Sequence, residues 1–259
     1  MSDLLGKARR FWRAGDAFRE RFGLVRGTRM SWQYADASYR RAPGSLVPLA
    51  IPEMGRSVLL RAGSSDAEVF HQLIVKRELD FSLQPPPARI IDGGANFGLA
   101  SVLFAQRWPG ARIVGIELER SNFELAVRNC AGSDQIEIRH AALWGQSGIV
   151  SVANPEADAH SFRASFGEAS GGVRAYRVGE LLDELGWDRV DLVKLDIEGA
   201  ERQVLADGAA WLPRVRHLLV ELHDRFEPGC TEALSAALAG GGWDVRVQGE
   251  YQLASRREW

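Results

Sequence analysis

The chain has 259 residues, enough to bury one large α/β core with a modest appended segment. Its apolar content of 46% and charged content of 25% are those of an ordinary globular protein, and a net charge of −2 gives no basic footprint for nucleic acid. Two cysteines, Cys130 and Cys230, lack metal-type spacing and imply no disulfide framework, so a reducing, cytoplasmic setting is expected.

From the N-terminus, Leu4, Leu5, Ala8, Phe11, Trp12, Phe18 and Phe22 fall at roughly helical spacing. The stretch Lys7 to Arg13 is basic and amphipathic, but Asp3, Asp16 and Glu20 make it a poor transit peptide. We therefore read it as a helix of the fold. No apolar run reaches the roughly 18 to 20 residues a membrane span needs. Residues 31–56 are turn-rich and hard to assign. A short strand is predicted at 57–61 and a helix at 67–77, capped by Ser65-Asp66. Pro85-Pro86-Pro87 then interrupts the chain, and the expected boundary lies there: 1–84 an N-terminal helical and β extension serving as lid or substrate-side cap, 85–259 the main domain.

Beyond the prolines, apolar runs at 88–92, 112–117, 135–140, 190–196 and 216–222 alternate with helical patterns at 97–107, 120–130, 200–207 and 229–239. That alternation predicts a mostly parallel sheet with crossover helices. Extra β structure is expected at 147–152 and 173–178. Residues 242–247 and 251–255 read as a hairpin turned at Gly249. The polar, Ser/Gly-rich stretch from Ala153 to Gly172 has the length of a binding loop. Its His160, Phe162, Arg163 and Phe166 suit contact with a hydroxylated or aromatic substrate, and Trp12 and Trp32 offer a second covering element.

Two strand ends carry the chemistry. After Arg89-Ile90-Ile91, the run Asp92-Gly93-Gly94-Ala95-Asn96-Phe97-Gly98 turns the chain into a helix. As a dinucleotide fingerprint it reads Gly-x-Ala-x-x-Gly, without the middle glycine that lets a pyrophosphate touch the backbone. Asp92 would repel an anion and suit a cationic ammonium. Glu117 ends the next strand, where a carboxylate can accept hydrogen bonds from both hydroxyls of an adenosine ribose, with Leu118 beside it. The third strand's end, His140-Ala141-Ala142, should face the adenine.

The second motif is Lys194-Leu195-Asp196-Ile197-Glu198-Gly199-Ala200-Glu201, followed by Glu221-Leu222-His223. Together with Asp92 to Gly98, Glu117 and Ala142-Leu143, these residues resemble the FkbM family of S-adenosylmethionine-dependent methyltransferases over about residues 88–224. A tyrosine expected after the helix at 67–77 is missing, since Glu78 is followed by Leu79. The resemblance implies a Rossmann-like class I methyltransferase fold, with a mostly parallel seven-stranded sheet flanked by helices, and S-adenosylmethionine as cofactor.

Expected cofactor contacts are Asp92, Gly93, Gly94, Ala95, Asn96, Gly98, Glu117, Leu118, His140, Ala141, Ala142 and Asp196. The expected catalytic residues are His223, Asp196 and Glu198. An imidazole near its ordinary pKa suits general-base work on an acceptor hydroxyl. Asp196 and Glu198, two apart, would share a face if the chain stays extended. Glu201 fits the first turn of a helix on dipole grounds, and Lys194 fits a structural pairing with a buried carboxylate. Asp196, Glu198, Glu221 and His223 have the donor types for a divalent metal, but spacing fixes no ligand set and none is assigned.

The expected activity is O-methylation of a small hydroxylated natural product, a polyketide or sugar. An N-methyltransferase is the alternative. An NAD-binding oxidoreductase would show an intact glycine fingerprint and a Tyr/Lys pair, and neither is present. A non-catalytic adenosine-binding scaffold is a further reading. No nucleic-acid or membrane partner is expected, and a homodimer through the C-terminal hairpin remains open.

Overall fold

The computed structural model describes residues 15–152, 164–167 and 172–259. The chain divides into two compact units, Met1–Arg77 and Glu78–Trp259. Residues 78–84, which the sequence reading assigns to the N-terminal extension, lie in the second unit, where Arg107 donates to the carbonyls of Leu79 and Phe81. Among the described residues no helix is long and apolar enough to cross a membrane.

In the first unit, α1 (Leu24–Ala35) continues into a π-helical turn, Asp36–Arg40. Antiparallel β1 (Leu46–Ile51) and β2 (Arg56–Arg61) follow. Residues 31–56 thus hold a helix and a strand that their prolines and glycines conceal. Pro48 lies inside β1, which its sheet of two strands tolerates because each strand keeps an unpaired edge. The helix expected at 67–77 is α2 (Asp66–Phe70) plus a π-helical turn, His71–Val75. Asp66 does not cap it. Its buried carboxylate instead takes the Arg61 backbone N–H and guanidinium, at 2.7–2.9 Å. Residues 15–22 are helical as expected, whereas the positions from Leu4 to Trp12 lie outside the described residues.

The second unit contains β3 (Arg89–Gly93), α3 (Leu99–Arg107), β4 (Arg112–Glu117), α4 (Arg120–Cys130) and β5 (Ile136–His140). Next come β6 (Ala142–Leu143), β7 (Gly148–Val152), β8 (Ala164–Phe166), β9 (Val173–Tyr176) and α5 (Val178–Glu184). The chain closes with β10 (Val190–Leu195), α6 (Glu201–Ala206), α7 (Gly208–Trp211), β11 (Val215–Glu221), α8 (Cys230–Leu238), β12 (Trp243–Gln248) and β13 (Tyr251–Arg256).

The seven-stranded sheet runs β12-β13-β11-β10-β3-β4-β5, with the five strands from β11 to β5 parallel, β13 antiparallel to β11 and β12 antiparallel to β13. This is the Rossmann-like sheet expected from the sequence. Its central strands are mostly apolar, as expected of strands buried on both faces: Ile90, Ile91, Val114, Val193 and Leu218 are all fully buried. β6, β9, β7 and β8 form a separate small sheet. Of the segment Ala153 to Gly172, residues 153–163 and 168–171, including His160, Phe162 and Arg163, lie outside the described residues. Phe166, on β8, stacks on Trp144 with ring centroids 6.3 Å apart.

Strand order reverses at β3: its chain successors β4 and β5 lie on one side, while β10 and β11 lie on the other. Open α/β sheets bind ligands outside the carboxyl ends of the strands at such a switch. Asp92, Glu117, Asp196, Glu221 and His223 all fall at or just beyond those ends.

Candidate functional site

The glycine turn after β3 is shaped by close packing. Gly94 has φ 74°, and a Cβ there would lie 1.7 Å from the Asp196 carbonyl oxygen, so no side chain fits. The amides of Gly94 and Ala95 both donate to the Ile116 carbonyl, and Asn129 Nδ2 donates to the Phe97 carbonyl at 2.9 Å. Gly98, at φ 86°, then opens α3.

Asp92 does not face open space. It is fully buried; its Oδ2 accepts from Ser101 Oγ at 2.6 Å, and its Oδ1 lies 3.1 Å from Lys194 Nζ. Within the protein, the ammonium it meets is that of Lys194. Lys194 also stands 3.3 Å from Asp196 Oδ2 and donates to the carbonyls of Gly93 and Gly94. Burial alone would lower its pKa, but the Asp92 and Asp196 carboxylates win and hold it above the usual lysine value. Lys194 thus joins β3, the glycine turn and the end of β10, as the structural reading of that residue expects.

Glu117 is held differently. The Asn96 N–H donates to its Oε2 and the Glu119 N–H to its Oε1, both at 2.8 Å, with Asn122 Nδ2 at 3.5 Å. Burial pushes its pKa up to about 7, against the backbone hydrogen bonds that lower it. Its Oε2, with one donor, has a second lone pair to offer. Beside it, Asn96 takes φ 49°, and its buried Oδ1 has no hydrogen-bond partner. Two acceptors side by side, one of them without a donor, are a pattern that the donors of a ribose diol and a ligand amino group would satisfy. The residues present therefore fit an adenosine-bearing cofactor. His140 stacks on Phe123 with centroids 5.0 Å apart, and its Nε2 lies 3.0 Å from the Leu118 carbonyl, to which it must donate. Ala141 and Ala142 are buried behind it.

Past β10 the chain does not stay extended: Glu198 adopts φ 54°, a left-handed conformation uncommon for a non-glycine residue. The turn still gathers the acidic side chains. His223, almost fully buried, has its Nε2 3.3 Å from Glu221 Oε1, 3.5 Å from Glu198 Oε2 and 3.9 Å from Asp196 Oδ1. Its Nδ1 lies 2.9 Å from Glu201 Oε1. Glu201, at the start of α6, accepts the backbone amides of Ile197 and Gly199 at 2.8 Å. It fastens the turn and orients the imidazole together.

These contacts change the chemistry expected of His223. Burial alone would lower its pKa, but hydrogen bonds to Glu201 and Glu221 and the Asp196 charge raise it to about 11. In this arrangement it is an imidazolium at neutral pH, not the unperturbed base the sequence suggests. Glu198 moves the other way: burial, with the Asp196, Glu221 and Glu201 charges, pushes it up to about 8 despite His223. Glu198 Oε2 is buried without a hydrogen-bond partner.

Sequence reasoning missed two members of this network. Tyr251, on β13, donates its hydroxyl to Asp196 Oδ2 at 2.9 Å, and Ser101 donates to Asp92. Tyr251 pairs in register with Glu221 across β11 and β13. The hairpin is legible in the sequence; its docking beside β11 is not. Ser101 lies on the first turn of α3, where its spacing from Asp92 is a usable signal once that helix is drawn.

The family model for the methyltransferase FkbM domain matches residues 92–238, which contain the glycine turn, Glu117 and the entire acidic cluster. The chain belongs to the FkbM methyltransferase family. It is an S-adenosylmethionine-dependent methyltransferase. Among curated relatives, AMB antimetabolite synthetase AmbE of Pseudomonas aeruginosa is 28% identical over 70% of this chain, although the match spans only 10% of AmbE. The 31-O-demethyl-FK506 methyltransferase FkbM of Streptomyces tacrolimicus is 26% identical, covering 65% of this chain and 80% of its own. The 2-O-methyltransferase NoeI of Sinorhizobium fredii is 23% identical over 59% of this chain and 70% of its own.

Proposed function

We propose that this FkbM-family enzyme methylates a hydroxyl oxygen of a small, hydroxylated natural product such as a polyketide or sugar. The observation that carries this reading is the buried, unpartnered Oε2 of Glu198, set among Asp196, Glu221 and His223 at the ends of two neighbouring strands. An alcohol acceptor must lose a proton as its oxygen is methylated, and this oxygen is the free acceptor in the cluster. The names of two relatives, a 31-O-demethyl-FK506 methyltransferase and a 2-O-methyltransferase, point the same way.

When bound, S-adenosylmethionine supplies a methyl carbon on a positively charged sulfur, which keeps the electron pair of the bond that breaks. The protein's own residues do the rest. Glu117 holds the ribose hydroxyls, and the Gly93-Gly94 turn, pinned by Lys194, fixes the cofactor's approach. Glu198 takes the acceptor's proton as the oxygen forms its new bond to carbon. His223, clamped by Glu201, holds the neighbouring carboxylates together. Much of the acceleration comes from fixing the acceptor's line of approach, which this network supports.

The test is a screen of hydroxylated and amine acceptors for S-adenosylhomocysteine release, followed by Glu198→Gln on whichever acceptor turns over. We expect hydroxyl acceptors to react and the variant to lose about 10²-fold or more in kcat, with S-adenosylhomocysteine affinity unchanged. Turnover confined to amines, or a variant as fast as wild type, would overturn the proposal.

A further inference from the structure

We propose that Asp196, Glu221 and His223 form a divalent-cation site beside the methyl-transfer centre, with Glu198 at its border. The inference rests on the methyltransferase reading for its purpose and on side-chain geometry for its existence. One donor atom from each of Asp196, Glu221 and His223 lies within 4.8 Å of the others. From His223 Nε2 the distances are 3.3 Å to Glu221 Oε1 and 3.9 Å to Asp196 Oδ1. Nitrogen and oxygen ligands sit about 2.0–2.2 Å from a metal, which spaces neighbouring ligand atoms by about 3–3.5 Å. Small side-chain adjustments therefore close the set around one ion.

Three further features distinguish this cluster from an incidental gathering of acids. The first concerns the imidazole. A metal-bound histidine almost always turns its other ring nitrogen to a carboxylate or carbonyl, which fixes the tautomer and ring orientation. Here Nδ1 lies 2.9 Å from Glu201 Oε1, and Glu201 is itself fully buried and held by two backbone amides. That leaves Nε2, on a side chain only 3% exposed, as the atom aimed into the carboxylates, and an ion bound there displaces the Nε2 proton to solvent.

The second concerns Asp196. Its Oδ2 is occupied by the Tyr251 hydroxyl and Lys194, which leaves Oδ1 turned to the imidazole. The third is Glu198 Oε2, 3.5 Å from the same nitrogen and buried without a hydrogen bond. Two carboxylates and one imidazole suit a cation between the hard ions preferred by oxygen and the borderline ions preferred by nitrogen, and Mn²⁺ meets that description. With only three protein ligands, coordination positions remain for the acceptor's oxygen. An ion there would ease loss of the acceptor's proton to Glu198 and hold the oxygen in place.

The experiment uses the full chain, stripped with chelator and saturated with S-adenosylhomocysteine, titrated with Mn²⁺ and followed by electron paramagnetic resonance. We expect one bound Mn²⁺ per chain, with nitrogen modulation from a single imidazole. Glu221→Gln should weaken Mn²⁺ at least about tenfold, and Glu201→Gln, which disturbs both the contact orienting the imidazole and the backbone anchors of the turn, by about 10–100-fold. Calorimetry with S-adenosylhomocysteine on the same samples shows that each variant is folded. It also separates the two claims: a wild type that binds S-adenosylhomocysteine but no stoichiometric Mn²⁺ overturns the cation site and leaves the methyltransferase reading standing. Bound Mn²⁺ without nitrogen modulation, or with wild-type affinity in Glu221→Gln, overturns the site as well.

Discussion

The carboxylates at the ends of β3 and β4 stand side by side in the same sheet, yet they are held in opposite ways. Asp92 accepts from Ser101 through one oxygen, while the other lies 3.1 Å from the Lys194 ammonium without a hydrogen bond. Glu117 accepts two backbone amides, those of Asn96 and Glu119. A carboxylate beside a buried lysine already has a counter-charge within the protein. One held by amides alone keeps lone pairs and a charge to offer. The difference separates a residue that builds the glycine turn from one suited to hold what binds there. An acidic residue at the end of a strand is thus not by itself a ligand contact; the identity of its donors decides.

Removing the cation should have the largest effect. Lys194→Met leaves Asp92 and Asp196 facing each other without a counter-charge, and losing one partner of a buried ion pair costs about 3–5 kcal/mol. Urea denaturation of the purified chain measures this directly. A loss below about 1 kcal/mol would mean that the network is far better solvated than its burial implies.

On the β4 side the cost should appear in binding. Glu117→Gln keeps the shape but removes the charge, and hydrogen bonds to a charged group contribute about 1.5–3 kcal/mol each. S-Adenosylhomocysteine affinity should fall by at least about tenfold while the urea midpoint moves little. If affinity holds and stability collapses instead, the two strand ends have been assigned the wrong way round.

The sheet and the two acidic strand ends were legible because parallel strands buried on both faces leave long apolar runs, and the carboxylates terminate them. The helix and strand within residues 31–56 were not, since Pro43, Pro48 and Pro52 look like breakers until β1 is seen to keep a free edge. The state of His223 was hidden for a different reason. Its pKa is set by Glu201 and Glu221, brought to it by the turn after β10 and by its own strand, and no spacing rule gives those distances. The pairing of Asp92 with Lys194 was hidden as well, because the two are adjacent only through the pairing of β3 with β10. Where a residue's chemistry depends on its neighbours within a strand or helix, the sequence displays it; where it depends on which strands lie side by side, the sequence does not.

A smaller effect, about 1 kcal/mol, is expected of Tyr251→Phe, which deletes one hydroxyl donor to Asp196 Oδ2 while Lys194 remains beside that oxygen. Thermal denaturation should show a shift of a few degrees at most, about 2–4 °C for a chain of this size. No measurable shift would show that the hydroxyl is not holding Asp196.

The subtlest way to sharpen the comparison is pH, because burial brings the pKa of Glu117 close to neutrality. Glu117 sits at about 7 in the folded protein, against 4.5 for an unperturbed glutamate. With the folded pKa raised, the folded state holds the proton more tightly than the unfolded chain between those values. Glu117 therefore makes the protein less stable as pH rises from about 4.5 to about 7, with no further change above. Ribose hydroxyls donate hydrogen bonds best to the ionised form, so binding runs in the opposite direction. S-Adenosylhomocysteine affinity should be flat above pH 7 and weaken below it, approaching about tenfold per pH unit if the complex requires the charge outright. Calorimetric titrations from pH 5.5 to 8.5 would trace that curve, and Glu117→Gln should flatten it. A wild-type curve already flat across that window would mean that Glu117 does not meet the cofactor as an anion, and the contrast with Asp92 would lose its functional meaning.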